Sequence, residues 1–283
     1  MSLCQSVICG ILSLYHHFLY NNPMIKTDAY LKTALVAAAE GGKLFEKYFG
    51  NPGKVEMKFH DPRNLVTEID RKIERLIRQR IIKKFPDHRI VGEELESSKP
   101  SKQVLVWYID PIDGTANFIR GFPFCCVSLA LWDKNGPLVG VVHNPALKQT
   151  FWAARKLGAF CNGKRMKVSK ENRLAKAFGG YGWGRNIQNA GKHFPELVKD
   201  LNKIRTLGTT ALEVVMVAKG VYDFHLQAEV NIWDFAAAAL ILEEAGGKIT
   251  DWHGKNITPQ TKKLIASNGK THKQLVNIVN KLA

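Results

Sequence analysis

The sequence predicts an α/β (α+β) protein in which helices and strands alternate along the chain. Helical and strand patterns follow one another, and neither an internal repeat nor a low-complexity stretch interrupts them. Hydrophobic residues make up 45% of the chain, which is ample for a buried core. These features fit one layered unit of about 260 residues, or two closely packed halves of such a unit.

Two helices are predicted from apolar spacing and from their end signals. In residues 71–84 the apolar side chains recur at spacings of three and four, which is typical of an amphipathic helix that begins after Asp70. Residues 235–245 are rich in alanine and are followed by two glycines, which predicts a second helix directly after Asp234. Each aspartate therefore lies near the positive end of a helix.

The most informative segment is D-P-I-D-G-T at residues 110–115, which follows an apolar strand predicted over 104–109. Pro111 should stop that strand's ladder, because proline has no N–H to donate. Asp110, Asp113 and the hydroxyl of Thr115 then share a small volume in which the two carboxylates repel each other. A hard divalent cation with oxygen ligands resolves that repulsion. The alternative is an Asp-Pro turn with a helix cap behind it.

Four further acids stand at the ends of predicted elements. Glu93 and Glu94 follow a short apolar run, and either could be an ordinary surface acid. Asp70 and Asp234 could each be a helix cap, and a cap can also be a metal ligand. Brought together in space, five of these acids would form a cluster of carboxylates that repel one another unless cations bind: Asp70, Glu93, Asp110, Asp113 and Asp234.

The segment 110–115 resembles the signature of the inositol monophosphatase family, the magnesium-dependent, lithium-sensitive phosphomonoesterases. Four other segments resemble further blocks of that family, in the family's order and over about residues 26–270: 64–70, 92–94, 231–237 and 243–247. The resemblance implies the layered sugar-phosphatase fold of alternating helix and sheet layers. It also implies a phosphatase domain at 24–283 with halves of about 24–144 and 145–283, and a homodimer.

The resemblance implies roles for individual residues. Glu93, Asp110 and the carbonyl of Ile112 would hold one Mg²⁺, and Asp110, Asp113 and Asp234 a second, with two or three ions per site. Thr115 and Asp70, with Glu93, are the implied catalytic residues, which position and deprotonate the water that attacks phosphorus. Residues implied to contact substrate are Glu93, Ile112, Asp113, Gly114, Thr115, Gly208, Thr209, Thr210, Gln227 and Asp234.

The alcohol side of the site departs from the family pattern. Family members carry an acid seven residues before the aspartate that corresponds to Asp234, whereas this chain has Gln227 there. An amide offers one acceptor and one donor group, so it suits two ring hydroxyls less well than a carboxylate does. If Glu229 lay on the same strand face, it would partly compensate. An inositol-1-phosphate-like polyol or sugar phosphate is expected, and histidinol phosphate, fructose 1,6-bisphosphate and 3′-phosphoadenosine 5′-phosphate stay open.

Cysteine chemistry is not expected. The chain has five cysteines, namely Cys4, Cys9, Cys125, Cys126 and Cys161, without a C-x-x-C pair. Cys125 and Cys126 lie in an apolar run and resemble small buried hydrophobes. An odd count without a pairing pattern predicts a reducing compartment, and we expect a cytoplasmic protein.

The net charge of +16 raises the question of nucleic-acid binding. The basic residues are spread along the chain, and the densest stretch, 164–173, resembles a hairpin loop more than a recognition helix. We expect a solvated basic surface that attracts anionic substrates. An RNA-binding or regulatory protein on a phosphatase scaffold is the alternative from another class, although a carboxylate cluster would repel a phosphodiester backbone.

Residues 1–23 are largely apolar up to residue 20, with no lysine or arginine, and they lack the signals of a secretory leader. His16 and His17 interrupt the apolar stretch, which argues against a spanning helix. We expect an extension that is disordered or not native, with Met24 as the functional start. A membrane anchor is the alternative.

Overall fold

The computed structural model describes residues 27–58, 61, 65–97, 105–201 and 203–282. The helices in these ranges are α1 (Asp28–Tyr48), α2 (Glu68–Lys84), α3 (Thr115–Arg120), α4 (Ile187–Asp200), α5 (Thr210–Ala218), α6 (Ile232–Glu244) and α7 (His272–Asn280), with a short 3₁₀ turn at Leu174–Lys176. Residues 1–23 and the cysteines within them, Cys4 and Cys9, lie outside the described residues.

The strands form three sheets. A two-stranded sheet contains β1 (Val55–Met57) and β2 (Leu65–Thr67). A seven-stranded sheet contains, in spatial order, β3 (Arg89–Gly92), β4 (Val106–Asp113), β5 (Cys126–Asp133), β6 (Gly136–Asn144), β7 (Gln149–Ala154), β8 (Gly158–Cys161) and β9 (Lys164–Arg165). A five-stranded sheet has the spatial order β11 (Lys203–Arg205), β10 (Phe178–Gly182), β12 (Phe224–Gln227), β14 (Leu264–Ser267) and β13 (Lys248–Asp251).

Helices and sheets alternate in five layers. Apolar side chains of α1 and α2 pack on one face of the seven-stranded sheet. Helices α5 and α6 pack between that sheet and the five-stranded sheet. Helices α4 and α7 cover the outer face of the five-stranded sheet. The predicted layered α/β architecture is therefore confirmed.

Burial on both faces explains why the central strands are continuously apolar. On β4, Trp107 and Ile109 face α1 and α2, whereas Tyr108 between them faces α5 and α6. β3 and β4 are parallel, and the remaining pairs of this sheet are antiparallel. The end of β4 is thus fixed by neighbours on all sides, which positions the motif that follows.

Three predicted boundaries were wrong, each near a site residue. β4 continues to Asp113, because a register shift between Asp110 and Asp113 accommodates Pro111 without a ladder hydrogen bond. Helix α2 begins at Glu68 and helix α6 at Ile232, so Asp70 and Asp234 lie inside the first turn of their helices. The residues that precede the helices are Thr67 and Asn231.

The division into halves near residue 144 stays a prediction. Asn144 ends β6, and the adjacent strand β7 lies in the proposed second half, yet the two strands pair in one sheet. The dense basic stretch begins in the β8–β9 hairpin, with Lys164 and Arg165 on β9.

Candidate active site

One cavity of about 600 Å³ collects nearly all of the predicted site residues. It lies where the end of β4, helix α3, the starts of α5 and α6, and the segments after β10 and β12 meet. The predicted residues that line it are Glu93, Asp110, Ile112, Asp113, Gly114, Thr115, Gly208, Thr209, Thr210, Gln227 and Asp234. Asp70 does not line the cavity; it lies behind Thr115, whose hydroxyl it contacts.

Three carboxylates in this cavity could hold a metal ion. Oxygen atoms of Glu93, Asp110 and Asp234 all lie within 4.8 Å of one another. They come from three separate segments: the residue after β3, the end of β4 and the first turn of α6. An all-oxygen set of this kind matches the ligand preference of hard divalent cations.

Burial and the mutual repulsion of the carboxylates raise the pKa values of the aspartates in the cavity. Burial, followed by the charge of Glu93, raises the pKa of Asp110 well above its usual value, and the same two causes raise the pKa of Asp234. Burial raises the pKa of Asp113 to about 6, although hydrogen bonds from the start of α5 act in the opposite direction. A bound cation would favour the ionised forms.

Asp113 connects strand β4 to the start of helix α5. Its Oδ2 accepts the N–H of Ala211 at 2.7 Å and a hydrogen bond from the hydroxyl of Thr209. Thr209 also caps α5, because its hydroxyl oxygen accepts the N–H of Leu212 at 3.3 Å. One aspartate on β4 therefore fixes the start of a helix almost a hundred residues further along the chain.

Gly114 turns the chain from β4 into α3. Its φ angle of 87° lies in the left-handed region, which favours glycine. A Cβ atom there would also lie only 3.2 Å from the Cβ atom of Cys125 and from the carbonyl oxygen of Phe124. Thr115 is then the first residue of α3.

The Thr115 hydroxyl links the cavity to Asp70. It lies 3.3 Å from Asp70 Oδ1 and 3.1 Å from the carbonyl oxygen of Ile112, and its single proton can go to either. The second oxygen of Asp70 accepts the N–H of Thr67 at 2.8 Å in a capping box. Burial raises the pKa of Asp70 to about 6 despite these bonds from Thr67.

Comparison with known proteins decides the family. A profile of the inositol monophosphatase family matches residues 26–282. The chain belongs to this family. Relatives include the fructose-1,6-bisphosphatase/inositol-1-monophosphatase of Thermotoga maritima, 40% identical over 85% of this chain and 92% of the relative. The Nus factor SuhB of Pseudomonas aeruginosa is 34% identical over 88% of this chain and 95% of its own length.

Solved structures agree with that assignment. The inositol monophosphatase structure from Thermotoga maritima superposes with a TM-score of 0.83, at 37% identity over 90% of this chain and 98% of that one. The predicted resemblance, the layered fold and the assignment as a phosphomonoesterase are therefore confirmed. Within the ranges that the structure describes, no helix is both long and apolar enough to span a bilayer.

Lys58 lies at the site although the sequence did not predict it there. Its Nζ lies 2.8 Å from Glu93 Oε1 and also forms an ion pair with Glu94. The Glu94 side chain is only 3% exposed, so the surface-acid alternative was wrong for this residue. Burial and the adjacent Glu93 charge raise the pKa of Glu94 to about 7. No local pattern around Lys58 indicated this contact.

The alcohol side of the cavity differs from expectation at Glu229. β12 ends at Gln227, so Glu229 is not on the strand; its Oε2 accepts the backbone N–H groups of Arg185 at 3.0 Å and Asn186 at 3.2 Å. The Gln227 amide oxygen lies 3.0 Å from His225 Nε2, and its nitrogen donates to the carbonyl of Glu229 at 2.9 Å. Glu229 therefore does not share a strand face with Gln227, which was the reason to expect that it compensates for the missing acid at 227.

A sequence signal for this wall was present in the alternating glycines at 180, 182 and 184. Gly180 and Gly182 pair with His225 and Gln227 in the parallel β10–β12 ladder. A Cβ atom at Gly182 would lie 2.0 Å from the Gln227 amide oxygen, and one at Gly184 would lie 2.3 Å from Cβ of Glu229. Glycine at every second position therefore makes room for the side chains that form the wall.

The cysteines of the described residues behave as expected for buried thiols. Cys125 and Cys126 are fully buried, and Cys161 is half-buried. Burial is the first cause that raises the pKa of each thiol. None of the three is prepared for nucleophilic chemistry, since that requires a lowered pKa.

Proposed function

We propose that this protein hydrolyses the phosphate monoester of a small polyol or sugar with the help of Mg²⁺ and an activated water molecule. The observation that carries the proposal is that Glu93, Asp110, Asp234 and Thr115 line one cavity, with Asp70 directly behind the Thr115 hydroxyl. The cluster provides ligands for cations, and the pair provides a route for a proton. No side-chain nucleophile is required.

This donor set is proposed to bind two or three Mg²⁺ ions. Glu93, Asp110 and the carbonyl of Ile112 would hold one ion, and Asp110, Asp113 and Asp234 a second. Bound ions would polarise the attacking water and neutralise charge on the phosphate and on the leaving oxygen. Asp110 takes part in both sets, which agrees with its central position among the acids whose charges act on it.

The chain's own residues orient the reactants. The Thr115 hydroxyl would accept a hydrogen bond from the attacking water while it donates to Asp70, and Asp70 would take up the proton. Glu93 adds negative charge beside the same water. The backbone N–H groups of Gly114 and Thr115 at the start of α3 are proposed to contact the phosphate.

A cation on the alcohol side favours substrates with a second anionic group. Arg185 lines the cavity, and its positive charge acts to lower the pKa of Asp234. The nearby Gln227 is neutral, so this wall carries one negative charge fewer than an acid at 227 would give. A relative whose name includes fructose-1,6-bisphosphatase supports this choice. A sugar bisphosphate is therefore the second candidate beside an inositol-1-phosphate-like polyol.

A substrate panel tests the proposal. Phosphate release is measured with myo-inositol 1-phosphate, fructose 1,6-bisphosphate, histidinol phosphate and 3′-phosphoadenosine 5′-phosphate, each with Mg²⁺ and with EDTA. We expect Mg²⁺-dependent release from the polyol or sugar substrates. Absence of release from all four by folded protein would contradict the proposal. It would favour the RNA-binding or regulatory alternative.

Arg185→Met should selectively impair the bisphosphate. We expect kcat/KM for fructose 1,6-bisphosphate to fall about 10–100-fold, the equivalent of losing a charged hydrogen bond of roughly 1.5–3 kcal/mol. The value for inositol 1-phosphate should change far less. Arg75→Met removes an exposed arginine of α2 outside the cavity and serves as the control. Equal losses of kcat/KM on both substrates would mean that Arg185 does not recognise the second phosphate.

The stabilisation by Mg²⁺ should grow with pH. Asp70 and Asp113 have folded pKa values of about 6, above their usual value, so they retain protons at about pH 5. Their contribution to stability is present below the ordinary carboxyl pKa and is lost as the pH rises through about 6. Of the two, Asp113 is a proposed cation ligand, so cation binding must displace its proton at low pH but not at about pH 8.

Thermal unfolding with Mg²⁺ and with EDTA measures this effect. The difference between the two Tm values should be larger at about pH 8 than at about pH 5. Buried histidines such as His143 and His272, whose pKa values are lowered to about 4 by burial, also change Tm with pH. Their contribution is the same with Mg²⁺ and with EDTA, so it cancels in the difference. A pH-independent difference would argue against cation binding at Asp113.

A homodimer and a cytoplasmic location are part of the same proposal. Light scattering of the purified protein gives the mass in solution, and 31.8 kDa is the mass of one chain. We expect about twice that mass.

A further inference from the structure

Glu74 is a buried carboxylate that the proposed chemistry does not use. It lies one turn after Asp70 on α2, and its side chain is 0% exposed. A buried charge is tolerated only when its oxygens are paired and hydrogen-bonded. The partners of Glu74 therefore show what it holds in place.

Those partners belong to the segment that carries Glu93. Glu74 Oε2 accepts the backbone N–H of Glu94 at 2.8 Å, and the N–H of Leu95 also hydrogen-bonds to this carboxylate. Arg78 Nε donates to Glu74 Oε1 at 2.7 Å, and Arg78 Nη2 donates to the carbonyl of Leu95 at 3.2 Å. Two side chains of α2 thus bind three backbone groups in residues 94–95.

Gly92 permits this close contact. A Cβ atom at Gly92 would lie 2.0 Å from Glu74 Oε1, so any other residue would displace the carboxylate or the chain. Glu93 follows directly, and its own N–H donates to the carbonyl of Ile109 on β4 at 3.2 Å. Glu93 is therefore held on one side by β4 and on the other by the segment bound to Glu74.

We propose that Glu74, supported by Arg78, is a positioning residue that holds Glu93 in reach of Asp110 and Asp234 and so sets the affinity of the site for Mg²⁺. The inference rests on the proposed function, because it takes Glu93 as a ligand of the cation. The same helix carries Asp70 four residues earlier. Helix α2 thus fixes the proton-accepting group and a metal-binding group relative to each other.

Glu74→Gln is the direct test. Glutamine keeps the shape of the side chain, but its NH₂ group would face either Arg78 or the N–H groups of residues 94–95, and two donors repel each other. The segment should shift, and Glu93 with it. Substitutions that disturb groups behind metal ligands typically weaken metal binding about 10–100-fold, and we expect a loss in that range.

Mg²⁺ binding is measured without substrate, by calorimetry and by the rise of Tm with Mg²⁺ concentration. The Mg²⁺ concentration for half-maximal activity should rise in parallel, while kcat at saturating Mg²⁺ should stay within about 3-fold, because the reacting groups are retained. Glu68→Gln is the matched control: it removes an exposed acid of the same helix, paired with Lys72. Its Mg²⁺ affinity should equal that of the wild type.

The outcomes separate this inference from the proposed function. A lower Tm in EDTA with unchanged Mg²⁺ affinity would make Glu74 a purely structural group and overturn the inference. A wild-type protein without any Mg²⁺ response would instead contradict the proposed function. Should Glu74→Gln fail to fold, Arg78→Lys decides, since it keeps the charge but loses the fork that spans Glu74 and Leu95. Weaker Mg²⁺ binding is expected for that variant, and unchanged binding would overturn the inference.

Discussion

Asp110→Asn is expected to abolish phosphate release. Asp110 is 2% exposed, and one of its oxygens lies within 4.8 Å of oxygens of Glu93 and Asp234, so the substitution removes the carboxylate that the two proposed cation sites share. Loss of several kcal/mol of transition-state stabilisation corresponds to a rate decrease of at least about 10³-fold. The measurement is phosphate release at saturating Mg²⁺ with the preferred substrate of the panel.

The thermal stability of Asp110→Asn without Mg²⁺, unlike its activity, should not decrease. Asparagine removes one charge from a cluster in which Glu93, Asp113 and Asp234 all raise the pKa of Asp110. Tm in EDTA should therefore be equal to or higher than that of the wild type, while the rise of Tm with Mg²⁺ should disappear. Asp200→Asn, at the exposed end of α4, is the control that should keep both activity and the Mg²⁺ response. Wild-type rates in Asp110→Asn would contradict the proposal that Asp110 is a cation ligand.

Local sequence was sufficient to predict the turn that carries Asp110, Asp113 and Thr115. A buried strand, a proline and a glycine at a left-handed position determine that turn within six residues. The start of the helices was less well predicted, although the signal was local. Asp70 and Asp234 are each the third residue after the cap, and each accepts the backbone N–H of that cap, Thr67 or Asn231. A T-x-x-D or N-x-x-D pattern before an apolar run would have given both boundaries.

These two aspartates combine a local and a distant role. One oxygen of Asp70 caps α2, and the other contacts Thr115, which is 45 residues away. Asp234 likewise binds the N–H of Asn231 while it faces Glu93 and Asp110. Helix cap and functional acid are therefore compatible roles, and Asp70 uses a different oxygen atom for each contact.

Lys58, Glu74 and Arg185 could not be predicted from spacing. Lys58 reaches Glu93 over 35 residues, and Glu74 reaches Glu94 over 20. Such contacts depend on how β3 ends against α2, and an isolated charged residue in a helix or loop is more often solvated. The burial of Glu74 is visible in the sequence only as an acid on the apolar face of α2, between Ile73 and Ile77.

Thr115→Ala is expected to slow catalysis while cation binding persists. The hydroxyl is the group between the cavity and Asp70, and its removal leaves Asp70 without contact to the attacking water. General-base catalysis contributes about 10²–10⁴-fold, so kcat should fall within that range. The rise of Tm with Mg²⁺ should match that of the wild type, because the carboxylates of Glu93, Asp110 and Asp234 are retained. Thr115→Ser keeps the hydroxyl and should restore most of the rate.

The decisive comparison is with Asp70→Asn and with the double variant. If the water, Thr115 and Asp70 act in series, either single substitution interrupts the same route, and the double variant should lose little more than one of them. Independent roles would instead multiply the two losses. Because Asp70 is only 1% exposed and contacts the Thr115 hydroxyl at the edge of the cavity, series behaviour is the expected result. Multiplied losses would mean that Asp70 acts on catalysis through α2 and not through Thr115.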